Sequence, residues 1–95
     1  MTNTLSLISI EGTVETAPVL THDNLVEFTV SDDTLRQFAV RLPRTELGSH
    51  VTPGVRVVVT GAEGWVIPGR AWRDEPSRTI VQAHDVQLRD LAFAA

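Results

Sequence analysis

The run Arg70-Ala71-Trp72-Arg73 sets an indole between guanidinium groups. Such a unit can stack on a flat ring and neutralise an anion at one place, because the indole offers a π face and arginine a planar fork of donors. Every basic residue of the chain is of that kind: all eight are Arg and none is Lys. Residues 36–78 hold seven of them (Arg36, Arg41, Arg44, Arg56, Arg70, Arg73 and Arg78) against four acids. Residues 1–35 hold six acids (Glu11, Glu15, Asp23, Glu27, Asp32 and Asp33) and no basic residue. A GC-rich genome would also favour Arg over Lys, and the two explanations do not conflict.

Other chemistries find less support. His22, His50 and His84 fall in different segments, and with no cysteine and no paired histidines the sequence offers no metal site. His22-Asp23 and His84-Asp85 are possible halves of a Ser/His/Asp arrangement, but no Gly-x-Ser-x-Gly nucleophile motif accompanies them. Phosphate-loop and dinucleotide fingerprints are lacking as well. The expectation is a non-enzymatic protein without a cofactor. The formal net charge of −4, taken alone, argues against nucleic acid as a partner, and the uneven distribution of charge argues the other way.

The elements that must position these residues are short and alternating, which is an all-β pattern. Leu5 and Leu7 alternate, the phase slips by one, and Ile8, Ile10, Gly12 and Val14 continue, as a β-bulge in a bent first strand would produce. Val26, Phe28 and Val30 share one face, with Leu25, Glu27 and Thr29 on the other. After the polar turn 31–34, Phe38, Val40 and Leu42 alternate with Gln37, Ala39 and Arg41, so the two runs read as a hairpin. Residues 43–51 predict one short helix, weakened by Gly48. Residues 55–60 form the strongest strand signal, ended by Gly61, and residues 62–77 read as a long loop or ragged hairpin. Residues 79–88 make the last strand, and Phe93 packs near the terminus. The order of three strands, a short helix and two strands predicts one domain over residues 1–95, a five-stranded OB barrel. A small β-sandwich is the competing architecture.

Ninety-five residues make one core at most. A domain of this size buries only roughly 60–70% of its unfolded surface, so self-association as a dimer or tetramer is expected to add buried area. The first residues lack a basic start, and no apolar run approaches the roughly 20 residues of a membrane helix, so a cytoplasmic location is expected.

Several segments, in one common order, resemble the bacterial single-stranded DNA-binding protein family. Ile10-Glu11-Gly12-Thr13-Val14 followed by Ala17-Pro18 is similar to its opening strand, and Val26–Ser31 and Phe38–Val40 to its second and third. Residues 52–61, TPGVRVVVTG, resemble the Gly-x-Arg-Val-x-Val-x-Gly strand, Arg70–Asp74 the hairpin motif with its Trp, and residues 82–91 the closing strand. The resemblance spans about nine tenths of the chain.

It implies sequence-independent binding of single-stranded DNA by a basic groove with aromatic platforms, in replication, recombination or repair. On the matching positions, Trp72 becomes the leading stacking residue, flanked by Arg70 and Arg73, and Arg36, Arg41, Arg44 and Arg56 become candidates for the groove. Phe38 is open to two readings. Aligned with the family it takes the place of a stacking aromatic, while its own alternation with Val40 and Leu42 turns it into the core. Phe28 reads as core, and Trp65, without a family counterpart, as core or subunit-interface packing.

Three departures qualify the resemblance. The connection between the second and third strands is a few residues rather than a long arm, and the first third is acidic. Both predict weaker DNA affinity. No linker and acidic tip precede Ala95, so partner recruitment through such a tail is not expected. An OB domain given over to protein contacts or assembly is the alternative reading.

Overall fold

β-Branched and aromatic residues at every second position can bury one face of a sheet while the other faces water, and the chain builds its strands on that rule. The computed structural model describes residues 7–21, 23–48 and 51–89. They form β1 (Leu7–Val14), a two-residue β2 (Val19–Leu20), β3 (Leu25–Asp32), β4 (Gln37–Pro43), β5 (Arg56–Ile67) and β6 (Arg78–Leu88). The sheet order is β1-β5-β6-β4-β3-β2, and β1 also pairs with β3. That extra pairing closes the sheet on itself. The architecture is all-β and compatible with an OB fold.

Closure depends on Gly12. Residues Leu7 to Thr13 of β1 pair with β5, and Gly12 to Val14 pair with β3 as well, so β1 is held from both sides at Gly12. A Cβ there would collide with the Ser31 carbonyl oxygen and the Val30 side chain. The bend needs a residue without a side chain. The bulge expected near Leu7 and Ile8 does not occur, for the β1–β5 register runs unbroken from Leu7↔Ala62 to Thr13↔Arg56. Leu5 lies outside the described residues.

The interior is filled by the predicted alternating sets. Val26, Phe28 and Val30 of β3 meet Phe38, Val40 and Leu42 of β4, with Ile10, Val14, Val57, Val59, Val81 and Ala83 completing the cluster. Val51 is buried against the same core, and Leu47 and Val55 pack beside it. The helix expected over residues 43–51 is instead a single 3-10 turn, Arg44–Glu46. Pro43 and Leu47, on either side of it, are extended and no side chain caps it, so the turn has no means to propagate. Residues 49 and 50 lie outside the described residues.

β5 is twice the expected length. It passes through Gly61 rather than ending there, and its ladder with β6 shifts register at Thr60/Gly61 and between Glu63 and Val66. A Cβ at Gly61 would strike the Gln82 carbonyl oxygen, so this glycine marks a bulge where two backbones approach, not a strand end. The result is a long β5–β6 hairpin with an exposed outer half. Residues 68–77 connect its limbs through a 3-10 turn, Ala71–Arg73, and a bridge between Arg70 and Glu75.

Candidate nucleic-acid interface

Alternation along β3, β4 and β6 turns Glu27, Thr29 and Ser31, then Gln37, Ala39 and Arg41, then Arg78, Ile80 and Gln82 to the outer face. The registers align them in rows across the three strands: Glu27–Arg41–Gln82, Thr29–Ala39–Ile80 and Ser31–Gln37–Arg78. Arg41 Nε donates to Glu27 Oε1 at 2.7 Å across the β3–β4 pair. Arg78 Nη1 lies 3.4 Å from Thr29 Oγ1 and 3.8 Å from Glu27 Oε2. Its side chain therefore runs diagonally over the middle of the grid, where Ala39 is 0% exposed. Beside this face, Thr29, Gln37 and Arg78 line a groove of ≈ 340 Å³ with Glu15, Glu75 and Pro76, the last two from the hairpin connection.

The hairpin tip carries the run that opened the sequence reading. Trp72 sits in the 3-10 turn and is 78% exposed. The Arg73 guanidinium carbon lies 5.3 Å from the centroid of the Trp72 ring, within cation–π range. Arg73 also approaches Glu75 at 3.9 Å. The backbones of Arg70 and Glu75 bond reciprocally at 3.0 and 3.1 Å, which fixes the base of the turn, and among the described residues the Arg70 side chain has no acidic partner. Trp65, on the bulged part of β5, is 63% exposed and so is not part of this chain's core.

The remaining candidates are dispersed. Arg36 and Arg44 lie beyond opposite ends of β4, separated by roughly 25 Å at the rise of an extended strand. Arg36 covers the Phe38 ring at 5.2 Å from its centroid. Phe38 itself is 4% exposed and belongs to the core cluster, which decides between its two readings. With the ring in the core cluster and Arg36 over it, burial favours the packing reading of Phe38 over the stacking one. Arg56 bonds to Asp33 at 3.2 Å and Glu11 at 3.3 Å, bonds that hold its guanidinium more firmly protonated than usual. Arg89 approaches the same Glu11 carboxylate at 3.5 Å. A cleft of ≈ 450 Å³ nearby is lined by Glu11, Asp32, Asp33 and Glu63 against Arg36, so its net negative charge does not suit a phosphate.

The turn between β3 and β4 is organised by Asp32. Its Oδ1 accepts from the Thr34 N–H at 2.9 Å, the Thr34 hydroxyl at 2.8 Å and the Arg36 N–H at 2.9 Å. Desolvation pushes its carboxyl upward, but these hydrogen bonds and the nearby Arg36 charge outweigh it and hold the group below the usual range. His84 is exposed on β6, and His22 and His50 lie outside the described residues. No three His, Asp or Glu side chains converge as metal ligands among the described residues, and no helix there is long and apolar enough to cross a membrane.

Sequence reasoning passed over one partner: Glu27. The signal was present, because Glu27 and Arg41 stand at equal distances from the β3–β4 turn and both face outward.

No protein-family model matches the chain, and no curated protein matches it by sequence. Solved structures do. Mitochondrial Rim1 from S. cerevisiae, a single-stranded DNA-binding protein, superposes with a TM-score of 0.67 at 14% identity, covering 92% of this chain and 96% of its own. The second single-stranded DNA-binding protein of Mycobacterium smegmatis gives 0.64 at 19% identity, with 90% of each chain covered. The small single-stranded DNA-binding protein of Streptomyces coelicolor gives 0.65 at 21% identity, covering 96% and 98%. The chain has the fold of single-stranded DNA-binding proteins. At these identities the likeness concerns the fold, which is shared over nearly the whole chain.

Proposed function

We propose that this protein is a non-enzymatic OB-barrel module that holds single-stranded DNA without sequence preference, in replication, recombination or repair. The observation that carries the reading is the fold, shared over nine tenths of the chain with three proteins that are single-stranded DNA-binding by name. Trp72 supplies an open stacking face at the hairpin tip, with Arg73 and Arg70 as its cationic neighbours. Arg41 and Arg78 track the backbone along the sheet face, with Arg36, Arg44 and Arg56 as outer contacts. Each base stacked on an aromatic ring contributes about 1–3 kcal/mol, and phosphate contacts make binding fall steeply with salt. The protein acts as a cytoplasmic homo-oligomer, with Trp65 available to a subunit contact.

Titrating the protein with oligo-dT at low salt tests this reading. Tryptophan fluorescence should be quenched with a micromolar or tighter dissociation constant that weakens as salt is added. No quenching and no salt-sensitive binding would reject it.

One observation favours an assembly module instead. Leu35, Val66 and Pro76 wall a groove of ≈ 400 Å³ in which Leu35 is 80% exposed. A protein partner retained through nuclease treatment and high salt would support that alternative.

A further inference from the structure

The outer sheet face already contains an anion. The two Glu27 oxygens approach different arginines: Oε1 takes the Arg41 Nε–H bond at 2.7 Å, and Oε2 lies 3.8 Å from Arg78 Nη1. A phosphodiester presents the same features to such a pair, one negative charge shared by two oxygens. Two arginines and one carboxylate leave a single net positive charge where the arginines alone would carry two. All three side chains remain partly solvent-exposed, so water and salt can reach the bridge and a phosphate can exchange for the carboxylate.

We propose that Glu27 is an intramolecular competitor for the phosphates of a bound strand. It keeps Arg41 and Arg78 on the sheet face in a partly neutralised arrangement, and a strand engages them by displacing the carboxylate. The inference rests on the single-stranded DNA reading above and deepens it, by naming the residue that limits affinity on this face. The hairpin tip is restrained less, for it has no acid shared between two arginines. Arg70 lacks an acidic partner among the described residues, and Arg73 meets Glu75 only at 3.9 Å. A strand therefore meets one arginine without an acidic partner at the tip, Arg70, whereas both arginines of the sheet face are engaged only after Glu27 moves.

The test is a salt series of oligo-dT binding by the full chain, comparing wild type with Glu27→Gln, Glu46→Gln, Arg41→Gln and the Glu27→Gln/Arg41→Gln pair. Glu46 lies in the exposed Arg44–Glu46 turn, and its replacement controls for net charge. Glu27→Gln should bind roughly 3- to 10-fold tighter at low salt, with a log–log salt slope steeper by about 0.7, the value for one more phosphate contact to a single strand. Glu46→Gln should change affinity less than about twofold, as expected for an exposed, screened charge that shares no ion pair with Arg41 or Arg78. Arg41→Gln should weaken binding more in the Glu27→Gln background than in wild type, because there a strand gains the Arg41 contact without having to displace a carboxylate. Thermal melts verify folding, and Glu27→Ala should give the same gain if the amide disturbs the sheet. Wild-type binding with no greater gain from Glu27→Gln or Glu27→Ala than from Glu46→Gln overturns the competitor role alone. Equal Arg41→Gln losses in both backgrounds do the same. Absence of salt-sensitive binding in every variant overturns the function proposed above, and this inference with it.

Discussion

Two arginine–aromatic pairs of nearly the same geometry occur in this chain. Arg36 lies 5.2 Å from the Phe38 centroid and Arg73 lies 5.3 Å from the Trp72 centroid. Their surroundings are opposite. Phe38 is 4% exposed within the closed sheet, and Trp72 is 78% exposed on a turn beyond it. The contact is the same, but at Phe38 the arginine closes a lid on a core side chain, and at Trp72 it stands beside an open π face. Pairing of residue types is therefore a weak sign of a binding site. What separates the two is the element beneath, a strand whose alternate residues face inward or a hairpin connection with no core under it.

The sharpest way to separate the pairs is to truncate each ring. Phe38→Ala should cost about 3–5 kcal/mol of stability, read from chemical denaturation, because it opens a cavity among Phe28, Val30 and their neighbours. Trp72→Ala should change stability by less than about 0.5 kcal/mol, the range for exposed positions. Oligo-dT affinity should show the reverse order, with Trp72→Ala losing about 1–3 kcal/mol and Trp65→Ala less. An equal or larger loss at Trp65 would move the stacking site from the tip onto the bulged limb.

The contrast also shows how much was legible from sequence. Alternation in residues 25–42 is unbroken on both strands, so inward and outward sets and the hairpin could be read directly, while Phe38 stayed open between its alternation and the family alignment. Residues 62–77 were legible only as a long loop or a ragged hairpin, and the continuation of β5 past Gly61 was not. Two register shifts, at Thr60/Gly61 and between Glu63 and Val66, break the periodicity of β5, and Gly61 and Gly64 look like stops although they sit within it. The arginines were visible as a set, but their partners were not. Glu11 reaches Arg56 from β1 and Asp33 from the β3–β4 turn, and only the fold brings those charges together. The acidic first third and the basic middle, read separately in the sequence, meet as ion pairs in the fold.

A smaller effect should come from the turn that carries Arg36 over Phe38. Asp32→Ala removes the acceptor shared by Thr34 and Arg36 and should cost about 1–2 kcal/mol, as charged hydrogen bonds partly open to water do. The sign of the pH dependence follows from the lowered carboxyl. The contribution is fully present above the unfolded value of about 3.9 and is lost as pH falls through the lower folded value. Wild type should thus lose stability on acidification below about pH 4, and Asp32→Ala should lack that part of the slope. Trp72, remote from any such carboxylate network, should keep its fluorescence response to oligo-dT in this variant.

The smallest effect tests strain in the same turn. Leu35 has φ = 66° and is 80% exposed, so a bulky side chain stands in a left-handed conformation with little burial in return. Leucine there costs about 1 kcal/mol relative to residues that tolerate this region, and asparagine is one of them. Leu35→Asn should therefore raise stability by about 0.5–1 kcal/mol, seen as a higher denaturation midpoint with an unchanged slope. A stabilised turn would hold Arg36 and Phe38 as before, and oligo-dT binding should stay at the wild-type value if the tip carries the aromatic contact. Weaker binding in Leu35→Asn would instead mean that the leucine, strain included, is kept for a surface contact in the Leu35–Val66–Pro76 groove. The arginine–phenylalanine side of the comparison would then belong to the interface as well.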